Sequence, residues 1–439
     1  MVLMADPGDQ VQVKTKDDVV EGILLPSPDT GVVVVKLKSG YNVGFPAPEV
    51  QVTILGKKKN SSPSLPSSPQ DPSLPHIALL HTGGTIASRV DYQTGGVSAG
   101  FSAEEVLDMF PEMKSQAFVT SHQVCNLMSE DMRFSHYQRI ARSIQQQVEA
   151  GVQGIIVGHG TDTLAVTAAV LAFMLEDLPI PVLLVGAQRS SDRGSTDAAL
   201  NLLSAVEFIL KTDFAGVALC MHASSHDDCC WILPATNSRK MHTTRRDAFQ
   251  AINDTPLARV DYAQKNISFF HQKYSRKVPG KKNVVLKEHL EEKVAIIRTH
   301  VQMSSLFIEA LIREKYKGMV LEATGLGQAP ANLPENLPVY EALKKFIAQG
   351  GIVVLTSQCL WGRVYSEVYT NCRRLQEIGV IFGGDMLTDT AFVKLAWLLG
   401  NYSAEETRKL LLHNLRGELH DRTPYVENFL TSPSLPSPS

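Results

Sequence analysis

From His76 onward, apolar and polar positions repeat as a short apolar run, a glycine-rich polar loop and a helical pattern. The clearest unit begins at Gly154-Ile155-Ile156-Val157 and breaks at Gly158-His159-Gly160-Thr161-Asp162-Thr163, before the helical pattern of residues 164–175. A second unit runs from residues 77–80 into His81-Thr82-Gly83-Gly84-Thr85-Ile86. This order predicts strand, tight loop and helix. Because ligands of open α/β sheets bind beyond the carboxyl ends of the strands, the two loops could face one another across one pocket.

The same alternation occurs twice and predicts two successive α/β domains, at residues 76–272 and 291–430. In the second domain, the apolar runs lie at residues 294–298, 319–322 and 351–356. Strands that alternate with helices favour mainly parallel sheets.

The remaining segments differ in pattern and composition. Residues 1–56 contain short alternating runs separated by turn signals, which predict a small β-barrel domain. Its balanced charge favours a structural or docking module over a nucleic-acid reader. Residues 57–75 form a Pro/Ser linker, and residues 431–439 have the composition of a disordered tail. Residues 273–290 predict a second, basic linker, more readily solvated than bound to RNA phosphates.

Composition indicates a soluble globular protein. The 439 residues are 44% hydrophobic and 20% charged, with a net charge of −3, so bulk electrostatics require no nucleic-acid partner. The six cysteines are scattered, which favours a reduced compartment. The first residues lack a secretion signal, and no apolar run approaches the about 20 residues of a membrane span. We therefore expect a cytoplasmic protein without a membrane contact.

The candidate chemistry centres on Thr161 and Asp162, a hydroxyl beside a carboxylate in a glycine-rich loop. A threonine nucleophile needs a neighbouring base and a group that orients it. Lys240, in a polar stretch at residues 237–249, is the best candidate for the cation that pairs with Asp162. Spacing alone supports only a small polar ligand at the strand ends, since such loops bind phosphates at least as often.

A metal site is an alternative use of another segment. Two histidines and two cysteines cluster at His222, His226, Cys229 and Cys230. Adjacent cysteines are poor ligands for one zinc ion, so we expect no metal here.

The two loops together resemble the paired signature of the L-asparaginase/glutaminase family of bacterial type. The signature residues are Thr82-Gly83-Gly84-Thr85-Ile86-Ala87 and Gly158-His159-Gly160-Thr161-Asp162-Thr163, and the resemblance covers about residues 76 to 425. It implies two asparaginase-like α/β domains. It also implies that Thr85 is the nucleophile, that Thr161, Asp162 and Lys240 handle protons, and that Tyr92 assists Thr85. Ser129 and Glu130 resemble the substrate-binding loop of the family.

The added N-terminal domain and residues 239–249 are similar to the tRNA-dependent branch of this family, found in archaeal glutamyl-tRNA(Gln) amidotransferases. That likeness implies that ammonia from glutamine or asparagine passes to a partner, the E-type amidotransferase subunit, in a dimer of heterodimers. The partner would use ATP and Mg to convert Glu-tRNA(Gln) to Gln-tRNA(Gln), with no cofactor bound by this chain. The alternatives are a free-standing L-asparaginase and a non-catalytic assembly or sensing protein on the same scaffold, and the intact candidate residues speak against the latter.

Overall fold

The computed structural model describes residues 5–6, 8–16, 18–25, 27, 31–37, 42–57, 70–84, 88–90, 97–99, 111–189 and 196–423. Two predicted site residues, Thr85 and Tyr92, lie outside these residues, and so does the predicted tail at 431–439.

An antiparallel sheet of five strands forms the N-terminal domain. The strands are β1 (Gln10–Lys14), β2 (Val19–Leu25), β3 (Val32–Leu37), β4 (Asn42–Pro46) and β5 (Gln51–Gly56). Their order in the sheet is β4-β3-β2-β1-β5. Alternate residues such as Val11 and Val13 are fully buried, because successive side chains of a strand point to opposite faces. The predicted N-terminal β-domain is confirmed.

The first α/β unit is built around an eight-stranded sheet. The strands of this unit are β6 (His76–His81), β7 (Ser88–Val90), β8 (Val97–Ala99), β9 (Phe118–Gln123), β10 (Gly154–Gly158), β11 (Leu175–Glu176), β12 (Pro181–Val185), β13 (Gly216–His222), β14 (Cys230–Pro234), β15 (Ser238–Lys240), β16 (Phe249–Ala251), β17 (Ala258–Asp261), β18 (Asn266–Phe269) and β19 (Val285–Leu286). The large sheet has the order β18-β17-β14-β13-β12-β10-β6-β9. Strands β13, β12, β10, β6 and β9 are parallel. The carboxyl ends of β6 and β10 therefore lie side by side, which places the two signature loops at one edge.

A second sheet of four parallel strands forms the C-terminal unit. The strands are β20 (Val294–Arg298), β21 (Gly318–Ala323), β22 (Ile352–Ser357) and β23 (Ile381–Phe382), in that order. Two α/β units with mainly parallel sheets are thus confirmed.

The helices cover the faces of both sheets. They are α1 (Pro111–Lys114), α2 (Phe134–Ala150), α3 (Leu164–Met174), α4 (Ala198–Lys211), α5 (Leu306–Arg313), α6 (Leu337–Ala348), α7 (Thr370–Glu377), α8 (Thr388–Asn401) and α9 (Ala404–Leu410). Helix α3 is apolar on nearly all sides and packs against α8 of the second unit. The rings of Phe173 and Trp397 stack there at 5.5 Å. One continuous apolar core consequently joins the two α/β units. None of the helices that the structure describes has the length and apolar character needed to span a bilayer.

The basic segment at residues 273–290 is packed against the protein, which differs from the expected solvated linker. Strand β19 pairs with β11. The Lys277 amine donates to the Ile209 carbonyl at 2.5 Å, and Lys287 forms an ion pair with Glu176 at 3.1 Å. These lysines are held because each donates to an acceptor on a distant element of the fold.

A buried ion pair fixes the end of the described chain to the second sheet's main helix. Lys394 on α8 and Glu418 are both inaccessible to solvent and lie 2.6 Å apart. The Lys394 amine also donates to the carbonyls of Leu411 and His413, and Glu418 accepts from the backbone of Leu415. Burial lowers the pKa of Lys394, and the charge of Glu418 opposes that change.

We predict that Lys394→Met lowers the free energy of unfolding by about 3 to 5 kcal/mol, because the Glu418 carboxylate would remain buried without its cation. The matched control is Lys409→Met, since Lys409 and Glu405 are also 2.6 Å apart but are exposed. That change should cost no more than about 0.5 kcal/mol. Denaturant unfolding of both variants provides the measurement, and equal losses would contradict the prediction.

Candidate active site

The two signature loops are in direct contact at the ends of β6 and β10. Thr82 donates its backbone N–H and its hydroxyl to the Gly158 carbonyl, at 3.0 and 3.1 Å. Gly84 has a φ of +75°, and an ideal Cβ there would lie 2.5 Å from the backbone nitrogen of Gly160. Only glycine allows such an approach. The expectation that the loops face one another is confirmed up to Gly84, the residue that precedes Thr85 in the chain.

Ser129 lies against Gly160, where the two loops meet. It is buried and begins a short 3-10 turn, Ser129–Asp131, in which Glu130 is exposed. A Cβ on Gly160 would come within 2.7 Å of the Ser129 Cβ, and the Thr163 hydroxyl donates to the Ser129 carbonyl at 2.7 Å. The predicted substrate-binding residue Ser129 therefore adjoins the Thr161 loop.

Lys240 reaches this loop from a separate hairpin. It is the last residue of β15, which pairs with β16. Its amine donates to the Thr161 hydroxyl at 2.9 Å and to the Asp162 carboxylate at 2.7 Å. The Lys240 side chain is 15% exposed and that of Asp162 is 65% exposed. The structure thus brings together three of the four predicted catalytic residues, at the distances of charge-assisted hydrogen bonds.

His159 braces the loop from inside the protein. Its ring is fully buried, with Nδ1 2.7 Å from the Gly160 carbonyl and Nε2 2.9 Å from the Thr167 hydroxyl. Burial lowers the pKa of His159 to about 4, although the hydrogen bond with the Gly160 carbonyl acts in the opposite direction. A neutral ring satisfies both contacts, since Nδ1–H donates and Nε2 accepts.

Asp197 and Asn201 support the neighbouring loop after β12. The Asp197 carboxylate accepts the backbone N–H groups of Gln188 and Arg189. Asn201 donates to the Gly186 carbonyl at 3.0 Å. A Cβ on Gly186 would lie 2.8 Å from the Thr161 side chain, so this loop forms one wall behind Thr161.

The His/Cys cluster considered as a zinc site has a different arrangement. The His222 ring contacts Asn201 and Asp227. Within the described part of the chain, no group of three or more His, Cys, Asp or Glu side chains is arranged to hold a metal ion.

Comparison with known families agrees with the fold. Residues 76–275 match "Asparaginase, N-terminal", residues 293–411 match "Glutaminase/Asparaginase C-terminal domain" and residues 5–55 match "GatD N-terminal domain". Among solved structures, the thermostable L-asparaginase from Thermococcus kodakarensis is similar, with a TM-score of 0.69 and 31% identity over 79% of this chain and 99% of that one. L-asparaginase I from Vibrio cholerae has a TM-score of 0.68 and 29% identity, over 79% of this chain and all of that one (100%).

Curated relatives extend over more of the chain. The D-type subunit of the glutamyl-tRNA(Gln) amidotransferase of Archaeoglobus fulgidus is 40% identical over 418 residues, which is 95% of this chain and 96% of that protein. The corresponding D-type subunit of Pyrococcus furiosus is 41% identical over 414 residues, 93% of this chain and 92% of that protein.

Fold and site together define a protein of the L-asparaginase/glutaminase class, as the paired loops predicted. Within that class, the chain belongs to the family of D-type subunits (GatD) of glutamyl-tRNA(Gln) amidotransferases. The family assignment confirms the predicted enzyme class, an amidohydrolase subunit of an amidotransferase.

We predict that His159 makes stability depend on pH. Its folded pKa is depressed to about 4, so its stabilising contribution is complete above pH about 6.5 and is lost as pH falls toward about 4. The loss amounts to about 3 kcal/mol. Unfolding measured across this range should show a shallower acid dependence in His159→Gln than in the wild type. An unchanged dependence of stability on pH in the variant would show that His159 is not the source of the acid loss of stability.

Proposed function

We propose that this chain is the ammonia-releasing subunit of a tRNA-dependent amidotransferase that converts Glu-tRNA(Gln) to Gln-tRNA(Gln). Its substrate is glutamine or asparagine. One observation carries the proposal: the Lys240 amine contacts both the Thr161 hydroxyl and the Asp162 carboxylate beside the loop that leads to Thr85. Family membership supports the same reaction class.

In the proposed reaction, the Thr85 hydroxyl attacks the carbon of the side-chain amide. The bond to nitrogen breaks, the proton from Thr85 ends on the departing ammonia, and an ester on Thr85 remains. Water then cleaves this ester and regenerates the hydroxyl. Thr161 and Lys240 carry protons in these steps, and Asp162 orients the lysine by its ion pair.

Substrate binding falls to the residues around this centre. Ser129 and Glu130 would hold the amino-acid part of the substrate, and Tyr92 would assist Thr85. Ser129 is supported by its position against Gly160.

The partner in this proposal is the E-type amidotransferase subunit, within a dimer of heterodimers in the cytoplasm. It binds ATP and Mg, and it activates the γ-carboxylate of Glu-tRNA(Gln), while this chain binds no cofactor of its own. The extra N-terminal domain supports coupling of ammonia release to the partner's reaction. The amidotransferase relatives match nearly the whole chain, whereas the L-asparaginases match only 79% of it. Coupling also has a chemical reason: ammonia released into water at neutral pH is protonated and ceases to be a nucleophile.

A free-standing L-asparaginase is the second candidate function. The match of both α/β units to complete L-asparaginases favours it.

We predict that Lys240→Met lowers kcat for ammonia release by about 10²- to 10⁴-fold, because the variant loses a proton-transferring group. The control is Lys344→Met, at an exposed position on α6. Ammonia release and thermal unfolding are measured for both. A Lys240→Met protein with full activity would exclude the proposed proton transfer.

The coupled function requires a separate measurement. Ammonia release from glutamine and from asparagine is measured for the chain alone and with the E-type partner, ATP and Glu-tRNA(Gln). We expect strong glutamine turnover only in the complete mixture, with uncharged tRNA as the control. Rapid asparagine hydrolysis by the chain alone, unaffected by these additions, would instead establish the L-asparaginase.

A further inference from the structure

A chain of polar contacts, buried from Gly186 to His222 and exposed at Asp227, runs behind the candidate active site and ends on the loop that follows Lys240. We infer that His222, held as an imidazolium between Asn201 and Asp227, is a positioning residue that fixes the Lys240 hairpin relative to the Thr161 loop. The inference rests on the proposed function, because its kinetic test needs an amide-hydrolysing enzyme.

The orientation of Asn201 is determined by its neighbours. Its amide nitrogen lies 3.0 Å from the Gly186 carbonyl and 3.3 Å from the Asp197 carboxylate. Both are acceptors, so the nitrogen must face them. The amide oxygen of Asn201 therefore points to the other side, where it accepts from the Cys230 thiol at 3.3 Å and lies near His222.

Both ring nitrogens of His222 consequently face acceptors. Nδ1 lies 2.6 Å from the Asn201 amide oxygen, and Nε2 lies 3.1 Å from an Asp227 carboxylate oxygen. A neutral imidazole has one N–H and one lone pair, and would direct the lone pair at one of these oxygens. Only the doubly protonated ring donates in both directions.

Charged groups from several elements surround His222. Asp227 on the loop before β14 and Asp197 at the start of α4 carry negative charge that favours the imidazolium, whereas the Arg246 guanidinium on the same Asp227 oxygen opposes it. The Cys230 thiol on β14 donates to Asn201, and burial holds its pKa well above the usual value, so it is neutral. Burial opposes the charge of the His222 ring, and the Asp227 and Asp197 carboxylates raise its pKa.

One end of the chain of contacts holds the Lys240 hairpin. Arg246 donates to the same Asp227 oxygen at 2.6 Å and also to the Ser225 carbonyl. Arg246 lies in the loop at residues 241–248, which begins directly after Lys240 and closes with the Met241 N–H donating to the Ala248 carbonyl. The contact with Asp227 thus ties this loop to the body of the domain.

The other end supports Thr161. Asn201 holds the Gly186 carbonyl, and Gly186 lies against the Thr161 side chain. The contacts that run from Arg246 through His222 to Gly186 therefore fix the Lys240 hairpin at one end and the Thr161 loop at the other. Loss of the His222 proton at alkaline pH would leave a lone pair facing an acceptor, which loosens the hairpin and lowers kcat.

The first test measures the ionisation of His222 directly. In full-length protein with ¹⁵N-labelled histidine, the resonances of His222 are assigned by their absence in His222→Gln. We expect both ring nitrogens to carry protons at pH 7. A neutral tautomer at that pH would overturn the inference, and this readout needs no activity.

The second test measures ammonia release under the conditions that give the largest wild-type rate, as a function of pH. We expect His222→Gln to lower kcat by about 10- to 100-fold with little change in KM, because a misplaced catalytic group affects turnover. It should also remove the decline in kcat at alkaline pH that loss of the His222 proton causes in the wild type. The control is His226→Gln, an exposed histidine in the loop that follows β13.

A second variant tests the positioning role without replacing His222, whose burial makes folding of His222→Gln a separate question. Arg246→Gln should lower kcat in the same direction, and the His222→Gln, Arg246→Gln double variant should lose less than the sum of the two single losses, because both residues act through Asp227. A lower thermal stability with an unchanged pH profile and kcat would overturn the positioning role. Absence of ammonia release from either amide by the wild type would refute the proposed function instead, and the ionisation measurement would still decide the state of His222.

Discussion

The candidate site depends on one ammonium group that must contact a hydroxyl and a carboxylate at once. Lys240 is 78 residues from Asp162 along the chain, yet the two side chains are 2.7 Å apart. That approach requires the end of β10 and the β15–β16 hairpin to be fixed relative to each other. The apolar core shared by α3 and α8, the brace at His159 and the contacts behind Gly186 all contribute to that placement.

Much of the fold could be predicted because buried parallel strands have continuous apolar runs. Strand β10 is buried at every position, and its boundaries are marked by the glycine-rich loop that follows. The same loop indicates Thr161 and Asp162. The three-residue strand that ends at Lys240 has no comparable pattern, since three residues show no periodicity. Lys240 can therefore be predicted from the residue types that the chemistry needs and from family likeness, but its position in a hairpin cannot.

Contacts between residues that are far apart in the chain could not be predicted from the sequence alone. The basic segment at residues 273–290 has the dense charge of a solvated linker, but Lys277 and Lys287 bind acceptors from distant parts of the chain. Likewise, the sequence indicates that His222 is a poor candidate for a metal ligand, but its contacts with Asn201 and Asp227 are visible only in the fold. Polar residues in a buried position take their role from partners that local sequence does not specify.

The central proposal is that amide hydrolysis proceeds through an ester on Thr85, with Lys240 as a carrier of protons. Its most direct test is mass spectrometry of the full-length protein, quenched during turnover of glutamine and digested into peptides. The account predicts a glutamyl adduct on the peptide that contains Thr85, absent when Thr85 is replaced by alanine. Ammonia release with no adduct at Thr85, or with an adduct on another residue, would contradict it.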